Sequence, residues 1–432
     1  MRFVSTRGQA PSASLSEALR NGAAPDGGLY MPEELPAVNL AELDPRAPLA
    51  DFAVALLGPF FAGDALESEL PAICADALDF RAPLVKPDAA KPSLRALELF
   101  HGPTGAFKDF GARFLMACFD RIAGVEPLTV LVATSGDTGG AVGCAAEGRS
   151  SVRGVILFPK GRVSPFQERQ LTCWGDNVLA VEVDGDFDDC QRLVKAAFAD
   201  PALSAEQRLT SANSINFGRL MPQLAYVAHA AAKVFAETGE KPGFVIPSGN
   251  LGHGFAVLLG RAIGLPIGPV VLATNANRTL RDWHESGRYE PRASIATLAN
   301  AMDVGNPSNF ERLSALPLDG SDVRVELVTD DEIKGRISGE YRSSGYVWCP
   351  HSATTVEAWS RLPEAERSEC PWVSLATAHP YKFAETVEPL IGRAVEPSPA
   401  LAAILSRPTR KIRIGASLDA LADALRERAA AA

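Results

Sequence analysis

Seven cysteines are scattered through 432 residues, and no two of them form a C-x-x-C pair. An odd, dispersed set makes a poor disulfide framework and offers no zinc-ligand spacing, so no metal site and a reducing, cytoplasmic setting are expected. No apolar run approaches the roughly 20 residues that span a bilayer. Met1–Arg20 is polar and has no apolar signal core. Dense basic blocks are also missing: 42 Lys and Arg face 52 Asp and Glu, for a net charge of −10. That excludes nucleic acids and anionic membranes as partners. Any anion bound must meet a local positive or N–H-rich site. No Gly-Lys-Ser/Thr closes a glycine loop, which excludes a Walker-type nucleotide enzyme.

What is present is ordinary globular composition, 47% hydrophobic and 22% charged. The length predicts two or more domains. Residues 1–92 read as a mainly helical N-terminal region, with apolar helical stretches at Phe52–Phe61 and Leu70–Phe80 and a Pro/Lys-rich connector at Pro83–Pro92. Beyond it, apolar runs alternate with helical patterns. Leu128–Ala133, Gly154–Phe158, Val178–Val183, Phe244–Pro247 and Val270–Ala273 read as buried strands. Helices are expected at Gly139–Glu147, from Ser164 with Pro165 in its first turn, from about Asp186, and at Phe255–Ile263. Such alternation predicts an α/β core, 93–392, with parallel sheets flanked by helices. Residues 393–432 are a C-terminal extension, and Ala424–Ala432 reads as a fraying helix end. Parallel sheets bind ligands at the carboxyl ends of their strands, so the loops there should carry the chemistry.

The densest segment is His101-Gly-Pro-Thr-Gly-Ala-Phe-Lys-Asp-Phe-Gly111. Its one lysine, Lys108, lies among small and aromatic residues. Apolar surroundings lower an amine's pKa and favour attack on an aldehyde. Thr134-Ser-Gly-Asp-Thr-Gly-Gly140 follows one strand and opens a helix. Alone it could hold a phosphate, a carboxylate or nothing. Ser248-Gly-Asn-Leu-Gly-His-Gly254 repeats the arrangement, as a phosphate cradle or simply a tight turn. His101 and His379 could serve as acid or base or be structural; His351, after Cys349-Pro350, suits a turn. Asp186–Asp189 reads as favourable charge at a helix start, and Glu182 and Asp184 as a solvated strand face.

In this order, Lys108, Ser135-Gly136-Asp137-Thr138 and Ser248-Gly249-Asn250 resemble the fold-type II pyridoxal-phosphate enzymes. More narrowly, the chain resembles the long bacterial and fungal threonine synthase family. The resemblance rests on Val4–Gly8, Pro25–Tyr30, Phe100–Thr104, Ala106–Phe114, Gly185–Gln191, Asn213–Asn216, Met302–Phe310 and Thr377–Pro380, and reaches to about Gly392. It implies two parallel-type α/β domains with pyridoxal 5'-phosphate in the cleft between them. Lys108 would be the Schiff-base lysine, with Ser248, Gly249, Asn250, Leu251, Gly252 and His253 around the cofactor phosphate. Thr377 would bond the pyridine nitrogen, and Asp137 would replace the Asn that related enzymes set beside the ring hydroxyl. Thr134, Ser135 and Thr138 would receive the substrate carboxylate. Asn213, Ser214 and Arg219 would hold the substrate's own phosphate, with Lys160 and Arg162 as weaker candidates.

The implied reaction is O-phospho-L-homoserine plus water to L-threonine plus phosphate, by a monomer or homodimer. A small subdomain, about 111–213, is expected to close on substrate. The family's usual Phe-Gly-Asn is Leu251-Gly252-His253 here, where backbone N–H groups can still serve. Its Leu before Ala106 is Gly105, which should loosen the loop. The alternatives are a phospholyase yielding 2-oxobutyrate, a Ser/Thr dehydratase, and a non-catalytic ligand-binding relative. The dehydratase needs no second phosphate site, and an intact Lys108 argues against the silent relative.

Overall fold

The computed structural model describes residues 1–134, 136–317 and 323–430. Ser135, one of the expected substrate-facing residues, and the terminal Ala431 and Ala432 lie outside the described residues. The strands, in chain order, are β1 Phe3–Ser5, β2 Tyr30–Pro32, β3 Leu84–Val85, β4 Leu94–Glu98, β5 Leu128–Ala133, β6 Val152–Pro159 and β7 Val178–Asp184. They continue with β8 Leu209–Thr210, β9 Gly243–Pro247, β10 Val270–Thr274, β11 Val323–Leu327, β12 Trp372–Ala376 and β13 Ile412–Gly415.

Two separate sheets carry the core. The larger runs β11-β10-β9-β12-β4-β3, parallel except for the two-residue edge β3. The smaller, β13-β7-β6-β5-β8, is parallel throughout. Parallel sheets covered on both faces need strands apolar on both sides. Every residue of β5 and of β9 is accordingly buried, which is why these strands read as unbroken apolar runs. The last strand, β13, pairs with β7, so the C-terminal segment completes the smaller sheet.

Local sequence sets the helix starts. Ser164 caps Pro165–Thr172 by accepting from the Gln167 N–H. Asp186 and Asp189 form a reciprocal capping box before Phe187–Ala199, and Glu182 and Asp184 pair with Lys411 and Arg413. The N-terminal region joins the same core. Its helix Leu49–Phe61 buries Phe52, Leu56 and Phe60 on one face, one turn apart each, and Phe52 packs on His229 of the long helix Met221–Thr238. A short two-stranded sheet, β1-β2, lies in this otherwise helical region. No helix among the described residues is long and apolar enough to cross a membrane.

Candidate active site

Loops from the carboxyl ends of β4, β5, β8, β9 and β12 converge on one cleft, so both sheets contribute. The expected site residues that are described, except Ser248 and the weaker candidates Lys160 and Arg162, line a single cavity of about 450 Å³. The hydroxyl of Ser248 turns back to the Ile246 carbonyl at 3.1 Å.

Lys108 begins the helix Lys108–Ile122. The loop before it is held against the residues after β12: the Phe107 N–H donates to the Thr377 carbonyl at 2.8 Å and the His379 N–H to the Gly105 carbonyl at 2.9 Å. Gly105 has φ +68°, a left-handed conformation that penalises a Cβ, and a Cβ there would meet Leu401 at 3.1 Å. The glycine therefore does not loosen this loop, contrary to the sequence expectation. It lets the loop turn tightly beneath the helix Pro399–Leu405. Asp109 braces the loop from within, accepting from the Thr104 N–H at 2.9 Å and its hydroxyl at 2.5 Å. Burial pushes the Lys108 amine down to a pKa of about 8; Asp137 opposes the shift, and Arg219 and Lys382 add to it. About one amine in ten is then neutral at pH 7, one unit below that value.

The loop after β9 forms the second wall. The first N–H groups of the helix Gly252–Ala262 have no partner within it, and no side chain caps them. Leu251, at φ +63°, holds a conformation strained for a residue with a Cβ, which aims these N–H groups at the cavity. A Cβ on Gly249 would lie 2.7 Å from the Met302 Cα, so only glycine passes there. Asn250 ties this loop to its neighbours, donating to the Ser214 hydroxyl at 2.6 Å and accepting from the Ser308 N–H at 2.6 Å. His253 stacks on Phe107, with centroids 4.6 Å apart and planes at 9°, and meets the Tyr226 hydroxyl at 2.8 Å. Burial drives its pKa down to about 3, so the ring is neutral packing.

Asn213, Ser214 and Arg219 form the third wall. The Arg219 guanidinium is buried, bonds the Ala212 carbonyl and leaves its Nε without a partner. Burial lowers its pKa to about 10, still charged at neutral pH. This segment is fixed by Arg312, a residue not anticipated from sequence. Arg312 is fully buried and donates to the carbonyls of Ser214 (3.3 Å), Ile215 (2.6 Å) and Tyr30 (3.1 Å).

The fourth wall, after β5, is organised differently. The Thr134 hydroxyl accepts from the N–H groups of Gly136 and Gly139, both at 3.0 Å. Asp137, the first residue of Asp137–Ala146, pairs with Lys382 at 3.1 Å. Burial alone would raise this carboxyl's pKa; the Lys382 ammonium and then Lys108 hold it down to about 2. Thr138 lines the cavity beside it. Thr377 is nearly buried, and its N–H donates to the Ser352 hydroxyl at 2.9 Å.

His351 departs from the sequence expectation. It sits in the first turn of the helix Pro350–Ser360, not in a turn, and lines the cavity. Its Nε2 accepts from the Ala301 N–H at 3.0 Å, and its Nδ1 has no partner. Cys349 as cap with Pro350 behind it was the available signal for a helix start. Lys160 and Arg162 are exposed outside the cleft, Lys160 facing Asp184 at 3.5 Å. His101 pairs with Glu98 at 2.7 Å, and His379 caps the turn Pro380–Phe383; neither lines the cavity.

This arrangement fits a phosphorylated aldehyde cofactor: an amine of lowered pKa, and beside it an uncapped helix start reached by a backbone that leaves no room for a Cβ. Comparison with known proteins agrees. The chain matches the profile for "Pyridoxal-phosphate dependent enzyme" over residues 80–377, that for "Threonine synthase N terminus" over 2–78 and that for "Threonine synthase, C-terminal" over 352–425. It is 39% identical to threonine synthase of Haemophilus influenzae over 88% of each chain, and 38% identical to that of Escherichia coli K12 over 92% of each. The crystal structure of the Escherichia coli threonine synthase superposes with a TM-score of 0.91 at 35% identity, covering 99% of this chain and 100% of that one. The PLP-bound threonine synthase of Brucella melitensis gives 0.91 at 35% identity, covering 99% of each.

Proposed function

The chain belongs to the threonine synthase family of pyridoxal-phosphate-dependent enzymes, and from that premise we propose how its residues divide the work. The reaction converts O-phospho-L-homoserine and water to L-threonine and phosphate. Lys108 would hold pyridoxal phosphate, which when bound would supply the electron sink for carbanion chemistry at the substrate's Cα and Cβ.

The observation that carries the assignment of roles is the pair of neighbouring anion-binding walls beside one amine. The uncapped N–H groups of the Gly249–His253 turn suit the cofactor's phosphate. The Asn213, Ser214 and Arg219 wall, with its unpartnered guanidinium N–H, suits the substrate's. The Lys108 amine would take the proton from Cα, assist its removal from Cβ and return one to Cα at the end. The substrate's C–O bond to phosphate breaks, its Cγ gains a proton to become the methyl group, and water gives Cβ its hydroxyl. Arg219 holds the departing phosphate. Thr377, which lines the cavity, would offer the cofactor's ring nitrogen a hydroxyl, which favours protonation there less firmly than a carboxylate would. Thr134 and Thr138 bound the pocket for the substrate carboxylate.

The smaller sheet, with β13 and the helix Leu418–Ala430 attached, is the body we expect to close on substrate, excluding water until the addition step. The unpaired cysteines support a cytoplasmic location. A cleft lined from within one chain suits a monomer or homodimer. Incubation with O-phosphohomoserine tests the reading, with threonine and phosphate expected in equal amounts. Release of 2-oxobutyrate alone, or borohydride treatment that leaves Lys108 unlabelled, would overturn it.

A further inference from the structure

Behind the cleft wall lies a second buried lysine that the proposed chemistry does not use. Lys382 lies in the turn Pro380–Phe383, and its side chain is wholly enclosed. Its ammonium donates to the Thr104 carbonyl at 2.7 Å and to the Gln170 Oε1 at 2.6 Å, and forms an ion pair with the Asp137 carboxylate at 3.1 Å. These partners come from the loop before Lys108, the helix Pro165–Thr172 and the start of the helix Asp137–Ala146. Gln170 closes the ring by donating from Nε2 to the Thr104 carbonyl at 3.0 Å.

Burying an ammonium with a carboxylate is costly, and apolar residues of similar volume would often pack as well. The pair therefore calls for an electrostatic reason, and Lys108 supplies one. The charged and titratable groups acting on or near its amine are Asp137, Arg219, Lys382 and His351, with Asp109 behind the loop. An uncompensated Asp137 carboxylate would draw a proton onto the Lys108 amine and keep it there as an unreactive ammonium.

We propose that Lys382 is a positioning residue for Lys108: by pairing with Asp137 it takes up the carboxylate's charge, leaves the Lys108 amine free to act as a nucleophile, and anchors the lysine loop to the smaller sheet. This deepens the functional reading and rests on it only for what the amine is used for.

The test reads the amine itself. Apoprotein is pulsed with a limiting amount of acetic anhydride across the neutral and alkaline range, and acetylation of Lys108 is quantified by mass spectrometry. Lys382→Met should move the labelling midpoint up by about one pH unit or more, the scale on which a close charge shifts a buried group. Asp137→Asn should move it down, and the double variant should return near wild type. The pH dependence of cofactor uptake, followed by absorbance, should shift in the same directions. A merely structural Lys382 would lower stability without moving the midpoint. A Lys382→Met midpoint equal to wild type overturns the proposal. Should that variant fail to fold, an unmoved midpoint in Asp137→Asn overturns it equally. Wild-type protein that shows the coupling but fixes no cofactor at Lys108 would sink the functional reading and leave this one standing.

Discussion

Two turns in this molecule share one outline and do opposite things with it. Each follows a wholly buried parallel strand, passes through glycines and opens a helix at the cleft. In the turn after β5 the helix start is closed by its own chain. Thr134 collects two N–H groups, and Asp137 sets a carboxylate on the first helical residue. In the turn after β9 no side chain caps the helix, and no charge occupies its start. A helix start that is already filled with negative charge has little left to offer a phosphate, whereas an open one is a ready anion site. Glycine content therefore does not distinguish the two. The fate of the N–H groups does.

The comparison can be broken most forcefully at its charged residue. Asp137→Ala strands the Lys382 ammonium in a dry site, and removing one partner of a buried pair costs about 3–5 kcal/mol. Urea unfolding of the apoprotein should show that loss, and unchanged stability would mean the first turn is not closed by its ion pair. The converse change installs the same charge in the open turn. Gly252→Asp should weaken cofactor binding about 100-fold or more, since like charges in contact cost several kcal/mol and each 1.4 kcal/mol is about tenfold. Gly252 is buried and a Cβ there would lie 3.2 Å from Leu220, so apoprotein stability should also fall, by about 1–3 kcal/mol. Wild-type affinity measured by titration would show that the phosphate sits elsewhere.

These two turns also mark what sequence alone discloses. The strands before them, the glycines and the lysine loop are local patterns, and they were legible. So were the caps at Ser164 and Asp186, because a cap and its partner lie three residues apart. The closure of the first turn by Thr134 and Asp137 is local, but what neutralises Asp137 is not legible, because its partner Lys382 is distant. Lys382 meets Gln170 across 212 positions and Thr104 across 278. Arg312 reaches Ser214 and Ile215 from about a hundred residues downstream. Nothing in the spacing of a lone lysine or arginine announces such a contact. The role of Gly105 is not legible for the same reason: a Cβ there would meet Leu401 and His379, which a local reading does not see.

A smaller effect sharpens the contrast. Thr134→Val keeps the shape and removes the acceptor for the Gly136 N–H, while the Gly139 N–H keeps the Gly136 carbonyl at 3.1 Å. Leaving a buried donor without a partner costs about 1–3 kcal/mol, so a modest drop in unfolding free energy is expected. Ser248→Ala, at the corresponding place in the second turn, removes only a hydroxyl that returns to its own strand, and should cost less. Equal losses would mean that the bracket in the first turn adds nothing.

Acid pH should separate the turns last and most gently. His253, in the second turn, has its pKa pushed by burial from 6.5 down to about 3. The unfolded chain therefore takes up this proton first, and stability falls as pH drops below about 6.5 toward 3. Asp137, in the first turn, is held at about 2 against an ordinary 3.8. Its contribution is intact above 3.8 and is lost only as pH falls from there toward 2. Between pH 6.5 and 4, then, the neutral His253 of the second turn makes stability depend on pH, and Asp137 of the first turn does not. His253→Gln keeps an acceptor for Tyr226 and removes the proton site. Its stability should fall less steeply than wild type in that window, by up to about 1.4 kcal/mol per pH unit for one proton. His229 and His351, buried, and His379, half-buried, also have lowered pKa values and add the same slope to both proteins, so the difference between the two curves isolates His253. Parallel curves would place the acid sensitivity outside the cofactor turn and remove this distinction between the two.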